Sequence, residues 1–252
     1  MSQGRAAEQA LPELRSGYSW RMVALAPLLL AQGLHVRRRI PRLPEPEGER
    51  SGCAGQGRPL RLLITGDSAA AGVGVGHQEQ ALSGQLVQQL AGDFQVSWRL
   101  LAQSGFTTAQ IIECLRAAPV ERFDVAVISI GVNDVTAGVG VRTWLARQQQ
   151  LLTLLGERFQ VEHVLFSSLP PMHLFPALPQ PLRWFLGSRA RHFNHAIAQY
   201  LQGHGQGELI CPDLHGLTTA SDGFHPGDAS YAAWARRLAD VIRARLPDTH
   251  SR

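Results

Sequence analysis

Four short blocks of this sequence carry residue types that do hydrolytic chemistry. Asp222-Gly223-Phe224-His225 sets a carboxylate just ahead of an imidazole, with a glycine to loosen the turn between them. Histidine is the side chain best suited to take a hydroxyl proton near neutral pH, and a carboxylate on its other ring nitrogen orients it as a base. Gly66-Asp67-Ser68 closes an apolar run, which makes the Ser68 hydroxyl a candidate nucleophile for that base. Gln103-Ser104-Gly105-Phe106 and Gly131-Val132-Asn133-Asp134 add a glycine, whose backbone N–H approaches a substrate oxygen closely, and an asparagine amide. Donors of these two kinds are what an oxyanion hole requires. Taken singly, each block has a plainer role, Ser68 as a helix cap and Gly105 and Asn133 as turn residues. It is the constellation that points to acyl transfer.

Such blocks meet only if a scaffold brings them to one edge. From Leu60 onward, apolar runs of strand length alternate with helix-like stretches. The expected strands are Leu60–Thr65, Phe94–Leu101, Phe123–Ile130, Val161–Ser168 and Glu208–Cys211. The expected helices are Glu79–Ala91, Thr108–Ala118, Val141–Gly156, Arg189–Gln202 and Ala229–Leu246. Five such units imply an α/β fold, a five-stranded parallel sheet with helices on both faces. Ligands then bind beyond the carboxyl ends of the strands, where Ser68, Gly105 and Asn133 fall. Two rival motifs fail on a named residue. The nucleophile elbow G-x-S-x-G has Ala70 in its last position, and Gly72-Val73-Gly74-Val75-Gly76-His77 has His77 where a dinucleotide fingerprint needs its third glycine.

The four blocks, in this order along the chain, resemble the SGNH hydrolases, also called GDSL esterases. The resemblance covers roughly residues 58 to 246, with Ala69 where many members have leucine. It implies a flavodoxin-like three-layer α/β/α sandwich. It also implies roles by position: Ser68 as nucleophile, His225 as base, Asp222 as its orienter, and the Ser68 and Gly105 backbones with the Asn133 amide as oxyanion hole. Metal-free hydrolysis of esters or thioesters through an acyl-enzyme follows, with no cofactor. A metal site is not expected from His192 and His195, which have helical spacing but no third ligand.

Composition bounds the remainder. The chain has 252 residues, 44% of them apolar and 17% charged, enough for an ordinary core and too apolar for disorder throughout. Its net charge of +4 is concentrated at Arg37, Arg38, Arg39 and Arg42, so nucleic acid is not an expected partner. Three cysteines, Cys53, Cys114 and Cys211, form no paired framework and fit a reducing, cytoplasmic compartment, with Cys114 and Cys211 read as small buried hydrophobes. Residues 1–57 read as an N-terminal extension ending in a Pro/Gly-rich linker over 43–58, and residues 58–252 as the hydrolase domain. Within the extension, the run Met22–Leu34 is too short as a helix, about 20 Å, to cross a hydrocarbon core of about 30 Å. Two readings of it stand: a helix docked on the protein's own core, or peripheral membrane contact through residues 18–42, with Tyr18, Trp20 and the arginines at headgroup level on the inner face of a membrane.

The expected substrate is a small-molecule acyl ester. The long connection Leu169–Leu186 lies on the active edge, with Met172, Phe175, Trp184 and Phe185 expected to line an acyl groove. That composition favours an esterase of short- to medium-chain acyl substrates. The alternatives are a carbohydrate O-acetyl deacetylase and a non-catalytic lipid- or membrane-associated module on the same scaffold.

Overall fold

The computed structural model describes residues 17–203, 205, 207–212 and 218–246. It divides into two compact units, Met1–Ile40 and Pro41–Arg252. In the first, α1 (Gly17–Arg39) is longer than the apolar run inside it, continues through Pro27 and ends on Arg37, Arg38 and Arg39. Cations suit the carbonyl-rich end of a helix. Among the described residues no helix is long and apolar enough to cross a membrane.

The second unit is built on one six-stranded sheet. Its strands are β1 (Ser51–Ala54), β2 (Arg58–Gly66), β3 (Phe94–Ala102), β4 (Val125–Ser129), β5 (His163–Ser167) and β6 (Gly207–Ile210), in the spatial order β1-β3-β2-β4-β5-β6. β2 to β6 are mutually parallel, at the five runs read from hydrophobicity. The five-strand expectation is corrected by β1, which pairs antiparallel with β3 inside the stretch read as linker. Ser51-Gly52-Cys53-Ala54 has no apolar alternation to betray a strand, because it sits at the sheet edge with its first three residues exposed.

Helices cover both faces. On one face α3 (Leu82–Leu90) packs against α8 (Asp228–Arg245), and Leu60, Leu62 and Ile64 of β2 meet Leu86, Leu90, Trp234 and Leu238 in a continuous core. On the other, α4 (Thr108–Ala117), α6 (Val141–Phe159) and α7 (Leu182–Gln202) adjoin one another, with α4 against β2 and β3. β2 is central and fully buried from Leu62 to Gly66, which is why it reads as an unbroken apolar run rather than an alternating one.

Two further expectations change. Cys114 is half-buried and Cys211 exposed, so neither is a core residue; all three thiols are free. α7 starts at Leu182, well before the expected Arg189, because Pro181 stands at its N-cap and ends the proline-rich connection there.

Candidate active site

The sheet register brings three of the four blocks together. Gly66, the last residue of β2, lies opposite Ala102 of β3 and Ser129 of β4, so the turns after these strands leave the sheet side by side. The chain runs from β2 to β3 on one side and then crosses to β4 on the other. Clefts form where the winding direction reverses in this way. Ser68 opens α2 (Ser68–Ala71), a short helix whose N-cap Asp67 accepts the Ala69 N–H at 3.1 Å. Asn133 lies in α5 (Val132–Thr136), after Gly131.

The fourth block arrives from the far edge of the sheet. Asp222 and His225 sit in a tight loop closed by the Thr219–Pro226 bridge and by the Ala220 N–H donating to the His225 carbonyl at 2.8 Å. This loop lies against Gly74, where a Cβ would fall 2.2 Å from the Pro226 carbonyl oxygen and 3.4 Å from the His225 Cβ. Only glycine admits that approach, and its φ of +115° is in the range other residues avoid. The Tyr231 hydroxyl donates to the Val73 carbonyl at 2.8 Å and ties α8 to the segment following the serine.

The resulting geometry is a continuous relay. His225 Nε2 is 2.8 Å from Ser68 Oγ, and His225 Nδ1 is 2.5 Å from Asp222 Oδ2. The other carboxylate oxygen of Asp222 accepts the Phe224 and His225 N–H groups at 2.9 and 3.0 Å. Burial by itself raises the pKa of Asp222. The bond from His225, the two amides and the imidazole charge outweigh it and hold the group below the ordinary carboxylate value. Asp222 therefore faces the imidazole as a carboxylate, and an Nδ1–H donated to it leaves Nε2, 2.8 Å from Ser68 Oγ, with a lone pair able to accept a proton.

Gly105 and Asn133 lie just beyond the ends of β3 and β4, which flank the end of β2. The Asn133 amide gives one hydrogen to the Phe106 carbonyl at 2.9 Å, which fixes its orientation and leaves the second hydrogen without an acceptor among the described residues. Gly105 has φ +83°, and its N–H meets no acceptor among the described residues. Asp134 is wholly buried and structural: it accepts the Thr108 N–H and hydroxyl, both at 2.8 Å, with Arg147 at 3.3 Å, and so locks the Asn133 turn to the start of α4. Asp67 is a residue that the motif reading passed over. Burial, with the Asp134 charge adding to it against the opposing Ala69 amide, pushes its pKa up to about 7.

Ser68 and His225 open onto a cavity of about 490 Å³. Ile130, Leu169, Leu174, Phe175, Phe224 and Trp234 give it an apolar wall, with Ser167 and Thr218 as polar points. Of the four side chains expected at an acyl groove, Phe175 lines this cavity. Met172 is fully buried in a 3₁₀ turn over Met172–Leu174, and Trp184 and Phe185 lie outside the lining. The early start of α7 is the reason: it puts Trp184 on the exposed side of the first turn and Phe185 beneath the Arg189 guanidinium, 5.7 Å from the ring centroid. Trp234, on the far helix, was not expected from sequence, since only the fold brings it here. His192 and His195 are exposed on α7, and among the described residues no group of three metal-ligating side chains forms.

This chain resembles known proteins over most of its length. It is 27% identical over 247 residues to a GDSL-like esterase of Mycobacterium tuberculosis, an overlap of 88% of this chain and 77% of that one. Among solved structures, a carbohydrate esterase family 2 enzyme from Corynascus thermopiles (Myceliophthora fergusii) superposes with a TM-score of 0.61 at 16% identity, covering 77% of this chain and 68% of that one. A lipolytic G-D-S-L family member from Veillonella parvula superposes with a TM-score of 0.58 at 14% identity, covering 72% and 97%. These distant likenesses bear on the fold. The GDSL-like lipase/acylhydrolase family model matches residues 64–233, from within β2 to within α8. The chain belongs to the GDSL-like lipase/acylhydrolase family and is a hydrolase of the esterase class.

Proposed function

We propose that this protein is a serine esterase that cleaves carboxylic esters, or thioesters, of short- to medium-chain acids through an acyl-enzyme on Ser68. The observation that carries this reading is the Ser68–His225–Asp222 relay, with contacts of 2.8 and 2.5 Å, at the mouth of an apolar cavity. His225 Nε2 takes the Ser68 proton as Oγ attacks the acyl carbon, and the negative charge moves to the carbonyl oxygen. The Ser68 and Gly105 N–H groups and the free Asn133 hydrogen receive that charge. His225 returns its proton to the leaving alcohol or thiol, and water activated by the same imidazole then releases the acid.

The cavity supports an acyl chain rather than a sugar, because its wall is mostly hydrocarbon and aromatic. Each buried methylene contributes about 0.8 kcal/mol, or roughly 4-fold in kcat/KM. Across p-nitrophenyl esters from acetate to octanoate, kcat/KM is expected to rise over the first few added carbons and then level off as the cavity fills. Phe175→Ala flattens the rise, while Trp184→Ala, outside the lining, leaves it intact. A preference for O-acetylated sugars over butyrate and hexanoate esters would overturn the acyl-chain assignment in favour of carbohydrate deacetylation.

A further inference from the structure

Residues 44–50 run across the active edge of the sheet, outside the stretch matched by the family model. Their course is set at one end by the bridge of Glu47 to His77, with the Gln78 N–H donating to the Glu47 carbonyl at 2.7 Å, and at the other by β1, whose antiparallel pairing with β3 matches Ser51 to Arg99 and so brings Arg50 beside the end of β3. There the Arg50 backbone carbonyl accepts the Leu100 N–H at 2.7 Å, and its guanidinium donates to the carbonyl of Ala102, the last residue of β3. The same guanidinium holds Glu45 Oε2 at 2.8 Å. The other carboxylate oxygen, Glu45 Oε1, accepts the backbone N–H of Ser104 at 2.6 Å. Ser104 immediately precedes Gly105.

We propose that Glu45 is a positioning residue for the oxyanion hole, holding the Ser104–Gly105 turn so that the Gly105 N–H points at the substrate oxygen. The inference rests on Ser68-dependent ester hydrolysis. The turn is otherwise tethered by the Gln103 N–H to the Gly66 carbonyl at 3.2 Å, the Phe106 N–H to the Gln103 carbonyl at 3.2 Å, and the Asn133 amide to the Phe106 carbonyl at 2.9 Å. Those contacts fix its two ends. Glu45 fixes the middle, at the peptide next to the catalytic donor, and a glycine there with φ +83° has no side chain of its own to restrain it. Pro46 anchors the segment from the other side: it is buried against Gly72, where a Cβ would lie 2.9 Å from the Pro46 Cγ. One strap thus touches both the glycine that ends the nucleophile's helix and the turn carrying the oxyanion donor.

A donor aimed at charge that develops only in the transition state affects kcat rather than KM. Glu45→Ala is therefore expected to lower kcat on p-nitrophenyl acetate by about 10- to 100-fold with KM within about twofold. It should weaken inhibition by an alkylboronic acid, which forms a tetrahedral adduct on the serine, by a similar factor. Glu45→Gln keeps an oxygen for the Ser104 N–H and retains kcat within about threefold, whereas Glu45→Asp withdraws the carboxylate and falls between. The aspartate variant carries the test if the alanine variant does not fold. Unchanged kcat in the alanine or aspartate variant, a loss matched by a rise in KM, or a loss that glutamine does not restore would overturn the proposal. Wild-type enzyme and Ser68→Ala are measured alongside. Hydrolysis that survives loss of Ser68 overturns the nucleophile and the brace together, while normal turnover of Glu45→Ala in a Ser68-dependent enzyme overturns the brace alone.

Discussion

Ser68→Ala is expected to lower kcat on p-nitrophenyl butyrate by at least about 10³-fold, with thermal unfolding and circular dichroism unchanged. The side chain lost is small and half-exposed at the head of α2, and the cap of that helix is Asp67 rather than Ser68, so the fold does not depend on the hydroxyl. The chemistry does. Acyl-enzyme formation needs an oxygen within reach of His225 Nε2, and the hydroxyl 2.8 Å away is the one the relay holds there. Any residual rate would come from the oxyanion donors and from substrate binding, which survive the substitution. A variant that keeps near-normal turnover would remove Ser68 from the mechanism.

The second large effect separates one histidine from the others. His225→Ala is expected to cost about as much as Ser68→Ala, because both changes stop the same step. His192→Ala and His195→Ala, exposed on α7 away from the cavity lining, are expected to leave kcat and KM within about twofold. Asp222→Asn is expected to cost less than removal of the base. It keeps the side-chain volume and one acceptor for the Phe224 and His225 amides, and loses the ionised partner of Nδ1. Steady-state kinetics of the four variants on one ester checks the set. A loss from His192→Ala or His195→Ala comparable to that from His225→Ala would refute the assignment.

Much of this site could be read from the chain because its pieces are local. Ser68, Gly105 and Asn133 each stand just after an apolar run, and a parallel sheet brings all such positions to one edge. Asp222 and His225 are near neighbours whose contact needs only a tight turn. What escaped reading depends on residues far apart in sequence. Trp234 meets the cavity because α8 packs back across the sheet, and Phe175 rather than Trp184 lines it because α7 begins at Leu182. The prolines around Pro176, Pro179 and Pro181 gave that helix start the composition of a loop. β1 was invisible for a different reason, since an exposed edge strand of small residues carries no hydrophobic period. Glu45 and Arg50 belong to the same blind spot, two charges in a polar stretch that the β1–β3 pairing and the Glu47–His77 bridge place beside the Gly105 turn.

The central claim, that an activated Ser68 carries the acyl group, is tested most directly by trapping it. An alkyl fluorophosphonate forms a phosphonyl ester with an activated serine, losing fluoride. Intact-mass analysis should show a single adduct, mapped by peptide sequencing to Ser68, absent from Ser68→Ala and slowed by about 10²-fold or more in His225→Ala. An adduct on another residue, or none on an enzyme that hydrolyses esters, would contradict it.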